Sequence, residues 1–225
     1  MILFSELFPT IIYETRSPLS GPIKVVDFHG ERKLLIGNLV QSISLENPIG
    51  HKVWGRLAAY HLPKKKDLSV LILGLGGATA AHIIARKLSP KKIVGVEVDP
   101  TVVEMGRKYF DLDKIKNLTV VIEDARSFIK GNSEKYDYVI VDTYLGSVFP
   151  KALEGSFLLK KLRDTLSAKG VLVFNRIFRS SKPEKRLRFL ELLEKVFGTI
   201  KEEIIEGPSD AKNYLYWVLP RPHSL

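Results

Sequence analysis

The chain has 225 residues, enough for one domain with its own core, and its 45% hydrophobic and 27% charged residues are those of a soluble globular protein, with no apolar run of the ~18 residues that span a bilayer. It has no cysteine, which excludes disulfides, zinc–thiolate sites and thiol catalysis. The formal charge of +10 fits a lysine-rich solvated surface, and its competing reading is an anionic partner such as nucleic acid.

The first fourteen residues, Met1–Glu14, are apolar but lack a basic leader and a small-residue cleavage site. They read as a packed N-terminal segment, with no membrane partner and a cytoplasmic location as the default. Up to about Leu45 the pattern is that of small β-structure, with Ile23–Phe28 and Lys33–Ile36 flanking a hairpin turn at His29-Gly30-Glu31-Arg32. A helix is expected after Pro48, carrying Val53, Trp54, Leu57, Ala58 and Leu62, and ending at Pro63 and the lysine run.

The pattern then alternates between apolar runs and helical stretches. Strands are expected at Leu68–Gly76 (ending in glycines), Lys92–Glu97, Leu118–Ile122, Tyr138–Val141 and Gly170–Phe174. Helices are expected over Ala78–Leu88, Pro100–Phe110, Leu153–Leu166 and from Pro183 to about Phe197. Strands that are apolar throughout need cover on both faces, so the sheet is mainly parallel with helices on each side. The last two strands, Thr199–Ile205 and Tyr214–Leu219, are joined by a linker too short for a parallel crossover and should pair antiparallel.

Gly74-Leu75-Gly76-Gly77-Ala78-Thr79 lies between an apolar strand and a helix, where glycines permit a tight turn close to a ligand and the helix start offers free N–H groups. Glu97 ends the next strand, where a carboxylate accepts hydrogen bonds from ribose hydroxyls; otherwise it is a surface residue at a strand end. Asp99 is expected to cap the helix that begins at Pro100. Asp124 ends the third strand, placed to accept from an adenine amino group while the Ala125 N–H reaches a ring nitrogen; the competing role is a helix cap. Asp142 ends the fourth strand. All these acids fall at carboxyl ends of strands, where open α/β sheets bind ligands. A nicotinamide-dependent dehydrogenase would also use the glycine turn and Glu97, but Thr79 replaces the third glycine of its fingerprint.

Over residues 23–175 the sequence resembles the spermidine synthase family, the polyamine aminopropyltransferases, within the Rossmann-like class I methyltransferase fold. The resemblance rests on LILGLGGATA, IVGVEVDPTVVEMGRKYF, VVIEDARSFI, KYDYVIVDTYLG and LSAKGVLVFN, and is nearest to a divergent branch with Asp142-Thr143-Tyr144-Leu145-Gly146 and Pro150 after the fourth strand. It implies an α/β fold with a small N-terminal β region at 1–47 and a Rossmann-like nucleotide-binding catalytic domain at 48–225. It implies that Gln41 contacts the nucleotide, that Gly74, Gly76 and Gly77 line the methionine-derived tail, and that Glu97 holds the ribose. Asp124 and Ala125 would hold the adenine, and Asp142 would be the catalytic aspartate. The donor would be decarboxylated S-adenosylmethionine or S-adenosylmethionine, with no metal, and the protein a homodimer. Two family features are missing: the Tyr-His pair falls on Gly55 and Arg56, and the second Asp on Leu145. Both hold the cationic acceptor, so the polyamine half of the site departs from the family.

The chemistry that follows is in-line displacement at a sulfonium, with Asp142 accepting a proton from a small-molecule amine or steadying its charge. An Asx-turn is the structural alternative for Asp142, and Tyr144 is either an acceptor wall or core. Aminopropyl transfer to an altered amine acceptor is favoured. The alternatives are a small-molecule methyltransferase, an RNA-binding methyltransferase, and a nucleotide-binding protein without catalysis. Few aromatics interleave the basic clusters at Lys64–Lys66 and from Arg176 to Arg188, so a single-strand stacking platform is not indicated, and the Asn/Asp-Pro-Pro-aromatic signature of base-amine methyltransferases is missing after the fourth strand, so nucleic acid is not the favoured partner. Two methionines and abundant Lys, Glu and Ile point to a heat-adapted source.

Overall fold

The computed structural model describes residues 8–44, 52–63, 65–145, 148–206 and 210–219. Strands β1 (Thr10–Ser17), β2 (Gly21–Phe28), β3 (Glu31–Ile36) and β4 (Leu39–Ile43) form an antiparallel meander in chain order. The β2–β3 hairpin turns on His29 and Gly30, both at positive φ, which matches the right-handed twist of the strands it joins. Segment 8–14, expected to pack, is instead largely the outer strand of this sheet, with Phe8, Ile11 and Ile12 exposed. Met1 to Leu7 lie outside the described residues, as does Pro48.

Alternation by two puts Ile23, Val25, Leu34 and Ile36 on one face of this small sheet, and they pack on Val102, Met105 and Phe110. The first two of these belong to helix α3 (Pro100–Tyr109), which follows the strand Lys92–Glu97 of the larger sheet. That contact seats the meander over the carboxyl ends of the larger sheet's strands. In the chain between the two sheets comes α1 (Trp54–Leu57), packed on one face of the larger sheet. It is one turn instead of the longer helix expected from the apolar spacing. Gly55 lies inside it, no side chain caps its start, and the Leu57 carbonyl accepts from Tyr138 Oη at 2.6 Å.

The larger sheet has the order β10-β11-β9-β8-β5-β6-β7. Its strands are β5 (Ser69–Leu73), β6 (Lys92–Glu97), β7 (Leu118–Ile122), β8 (Tyr136–Val141), β9 (Leu166–Arg179), β10 (Ile200–Ile205) and β11 (Ala211–Val218). β7, β6, β5, β8 and β9 are mutually parallel, while β11 runs antiparallel to both β9 and β10. Successive residues of each central strand go to different cores. Leu71, Leu73, Val139 and Val141 face α4 (Ala125–Gly131), α5 (Ser156–Asp164) and α6 (Pro183–Phe197). Val70, Ile72, Tyr138 and Ile140 face α1 and α2 (Thr79–Leu88). This two-sided burial is why the strands are apolar throughout. Among the described residues no helix is long and apolar enough to cross a membrane.

Several boundaries differ from expectation: β5 ends at Leu73, before the glycines, β8 starts at Tyr136, β11 runs Ala211–Val218, and two further shifts have a visible cause. α5 begins at Ser156, because Gly155 takes an extended conformation and separates it from a 3-10 turn at Lys151–Glu154. β9 starts at Leu166 and runs on to Arg179, with a register break between its pairings to Tyr136 and Tyr138. A Cβ at Gly170 would lie 2.9 Å from the Tyr136 carbonyl oxygen, so the break needs glycine there.

Candidate active site

The strand order reverses direction at β5: β6 and β7 lie on one side, β8 and β9 on the other. A crevice is expected outside the carboxyl ends of such a sheet. A cavity of about 440 Å³ lies there, roofed by β3 and β4 and walled by α1 and the segment after β8. That volume suits a nucleoside-sized ligand.

The glycine turn forms its floor. Gly74 has φ +87°, and a Cβ there would sit 2.3 Å from the Asp142 carbonyl oxygen, so the backbone of β5 touches that of β8 directly. Gly76, at φ +56°, donates its N–H to Glu97 Oε2 at 2.9 Å. Glu97 Oε1 accepts from Val98 N–H at 2.9 Å and Asp99 N–H at 3.2 Å. Burial raises the Glu97 carboxyl above its ordinary range, an effect these backbone bonds oppose and neighbouring Asp99 reinforces. Asp99 itself caps α3 by accepting from Thr101 N–H at 2.9 Å.

Gly77 does not line the cavity. Its N–H goes to Ser42 Oγ at 2.8 Å, and a Cβ would lie 2.9 Å from the Ser42 side chain. Thr79 Oγ1 ties the same turn to β4, accepting from Ile43 N–H at 3.0 Å and donating to its carbonyl at 2.9 Å. These bonds hold β4, and with it Gln41, against the turn.

Asp124 stands at the start of α4. Its Oδ1 accepts from the backbone N–H of Arg126 at 3.0 Å and of Ser127 at 3.3 Å, and from Arg126 Nε at 2.8 Å. Burial works to raise this carboxyl, but the Arg126 side chain and the helix N–H groups outweigh it and hold it below its ordinary value. Asp124 therefore does cap the helix, and it lines the cavity as well, beside Ala125.

Asp142 lies just beyond β8. Trp54 donates Nε1–H to Oδ2 at 3.0 Å and Asn175 donates Nδ2–H to Oδ1 at 2.8 Å. Asn175 is itself fixed by Asn213 Nδ2, 2.8 Å from its Oδ1. Protein encloses the carboxyl except where it meets the cavity. Burial raises it above the ordinary aspartate value, and the Trp54 and Asn175 donors pull it part of the way back. Tyr144 follows, with its hydroxyl accepting from Ile177 N–H at 2.6 Å and its ring edge-on to Phe149. Burial raises its phenol well above the ordinary range.

Gln41, Gly74, Gly76, Glu97, Asp124, Ala125, Asp142 and Tyr144 thus line one cavity, and Gly77 supports it from beneath. Sequence reasoning missed Trp54, Thr143, Asn175 and Asn213, which line it too. Asn175 had a signal, an amide closing the apolar run Gly170–Phe174. Trp54 looked like one more apolar residue of a helix.

The Spermine/spermidine synthase domain model matches residues 55–201. A polyamine aminopropyltransferase of Vibrio vulnificus (strain CMCP6) is 30% identical over 184 residues, 77% of this chain and 61% of that protein. The eEF1A lysine and N-terminal methyltransferase homolog of Drosophila melanogaster is 28% identical over 149 residues, 62% of this chain and 22% of that protein. The chain thus spans less than two thirds of the length of these relatives. The spermidine synthase structure from Thermotoga maritima shares the fold, with a TM-score of 0.71 at 18% identity, covering 92% of this chain and 72% of that one.

Proposed function

The chain belongs to the spermine/spermidine synthase domain family, and from that premise we propose that it transfers an aminopropyl group from decarboxylated S-adenosylmethionine to an amine. The observation that carries this reading is the Asp142 carboxylate, fixed by Trp54 and Asn175 in the same cavity as the glycine turn and Glu97. In this reading Glu97 accepts from the ribose hydroxyls, Asp124 and the Ala125 N–H hold the adenine, and Gln41 covers the nucleotide from β4. Gly74 and Gly76 form the floor along which the sulfonium tail lies. The cavity volume and the acids along its β6–β7 side fit such a donor.

The amine nitrogen attacks the propyl carbon bound to sulfur. The carbon–sulfur bond breaks with its electron pair on sulfur, methylthioadenosine leaves as a neutral thioether, and the new ammonium loses one proton. Asp142 orients the amine and accepts that proton; its raised pKa makes it a better base than an exposed aspartate. The chain's other contribution is alignment, with turn and carboxylate held in contact through Gly74.

Methyl transfer to an amine is the second reading, favoured by the similarity to the Drosophila protein named a lysine and N-terminal methyltransferase. Calorimetry with S-adenosylmethionine, its decarboxylated form, methylthioadenosine and NAD separates these. Tighter binding of the decarboxylated donor and methylthioadenosine supports aminopropyl transfer, and preference for S-adenosylmethionine supports methyl transfer. NAD binding alone would end both. A homodimer is part of the proposal, supported by the exposed Ile11 and Ile12 of β1, and sedimentation tests it.

A further inference from the structure

The cavity has two chemically different halves. On the β6–β7 side are the carboxylates Glu97, Glu123 and Asp124. Around Asp142, on the β8–β9 side, the lining is Trp54, Tyr144, Leu145, Pro150, Leu153 and Ile177. Hydrogen bonds tie this wall to Asp142 or to itself: Trp54 reaches Asp142, and Tyr144 holds Ile177. Leu145 and Ile177 keep 43% exposure each, so their side chains remain available to a ligand.

Charge is scarce there. Among the described residues of α1, segment 143–155, β9 and β11, the one carboxylate is Glu154, which does not line the cavity and pairs with Arg176 at 2.8 Å. The carboxylate that the N-terminal sheet brings to the cavity, Glu31, is 2.8 Å from Lys33 Nζ. Behind the wall lies Arg176, 5% exposed, its guanidinium 3.7 Å from the Phe149 ring centroid. Two side-chain amides, Asn175 and Asn213, also line this half, and Asn175 is committed to Asp142 and to Asn213. Thr143 lines it as well, but its Oγ1 is buried away from the cavity. Asp142 is thus the one anionic acceptor among the described residues of this half, enough for a single amino group. A second ammonium would lie against this wall with a buried guanidinium behind it and no counter-charge among its described residues, which is strongly unfavourable.

We infer that the acceptor is a primary amine with one amino group on an apolar body, and not a diamine or polyamine. The amino group sits at Asp142, and the body packs on Leu145, Leu153 and Ile177. The inference rests on the transfer reading above, and its test keeps the two apart. Pentylamine, phenethylamine and cadaverine are titrated calorimetrically into the protein with and without methylthioadenosine, and aminopropyl transfer from the decarboxylated donor is assayed on each. Pentylamine and cadaverine share a five-carbon chain and differ in the second amino group. Pentylamine and phenethylamine are expected to bind at least ~10-fold more tightly than cadaverine, the scale of one unpaired buried polar group. Equal or tighter cadaverine binding, or no binding of any amine, overturns the inference. Amine selectivity without turnover refutes the transfer reading alone, and turnover with preference for cadaverine refutes the inference alone. Leu145→Asp, at a half-exposed position, should shift the pentylamine-to-cadaverine ratio toward cadaverine, and an unchanged ratio counts against the assigned wall.

Discussion

Trp54 donates its indole N–H to Asp142 Oδ2 across 3.0 Å, joining two residues 88 positions apart. The contact links a one-turn helix to the end of the sheet's central strand, and it sets the protonation of the carboxylate proposed as base. Burial raises Asp142, and this hydrogen bond lowers it. Trp54→Phe removes the donor and keeps most of the ring. The folded-state pKa then rises further, so the acid limb of the pH–kcat/KM profile moves to higher pH. The base is active above its pKa and lost as pH falls through it, so activity near that limb drops, by about 10-fold for one hydrogen bond to a charged group. A pH–rate profile checks it: an unmoved limb would show that Trp54 serves packing only.

Binding and chemistry should separate between the two halves of the cavity. Glu97 contacts the glycine turn through Gly76, whereas Asp142 is held by Trp54 and Asn175. Glu97→Ala is expected to weaken methylthioadenosine binding by at least ~10-fold, since it removes both a ligand acceptor and the anchor of Gly76. Asp142→Asn is expected to leave that affinity within about 2-fold while cutting turnover by ~10²–10⁴, the range of a lost general base. Calorimetry and single-turnover rates on both variants check the split, and turnover retained in Asp142→Asn would remove the catalytic assignment.

The larger sheet was legible because each central strand is buried on both faces, which leaves a continuous apolar run in the sequence. The strand-end acids were legible because a carboxylate after such a run is conspicuous. Trp54 and Asn175 were not, because what makes them part of the site is a partner 88 or 33 positions away. Local pattern shows them only as an apolar helix residue and a polar strand end. The length of α1 failed for a related reason: the spacing of Val53, Trp54, Leu57 and Ala58 is helical, but Gly55 inside it and an uncapped start weaken the helix to one turn. Gly77 was grouped with its neighbours by the motif, and only the packing of β4 shows that its N–H is committed to Ser42.

Among the glycines, the contrast between Gly74 and Gly131 is testable. A Cβ at Gly74 meets the Asp142 backbone oxygen at 2.3 Å in a positive-φ conformation, and neither backbone can yield without moving the site. Gly74→Ala should cost roughly 3 kcal/mol or more, the size reserved for backbone strain plus overpacking. Gly131 ends α4, has nothing within 4 Å of its Cβ position and lacks a positive φ. Gly131→Ala should stabilise by about 0.4–1 kcal/mol. Urea unfolding of both variants checks the pair, and equal effects would show that the turn accommodates a side chain.

Arg176 and Glu154 should respond unequally to truncation. Their ion pair spans 2.8 Å, with side-chain exposures of 6% for Arg176 and 36% for Glu154. Arg176 is stacked against Phe149 and Phe189, and its Nε and Nη1 have no hydrogen-bond partner among the described residues. Glu154→Ala leaves a buried guanidinium without its counter-charge, a loss of about 3 kcal/mol, and should lower Tm by roughly 6–12 °C in a chain of this size. Arg176→Met leaves a carboxylate that water can reach and fills the aromatic pocket with an apolar stem of similar length. Its cost should be within about 1 kcal/mol of zero, because two unsatisfied N–H groups disappear with the charge. Thermal unfolding of the two variants checks the asymmetry. If Arg176→Met cost as much as Glu154→Ala, the guanidinium would contribute more through its ring contacts than its buried charge takes away, and the segment from Tyr144 to Glu154 would depend on it for its position.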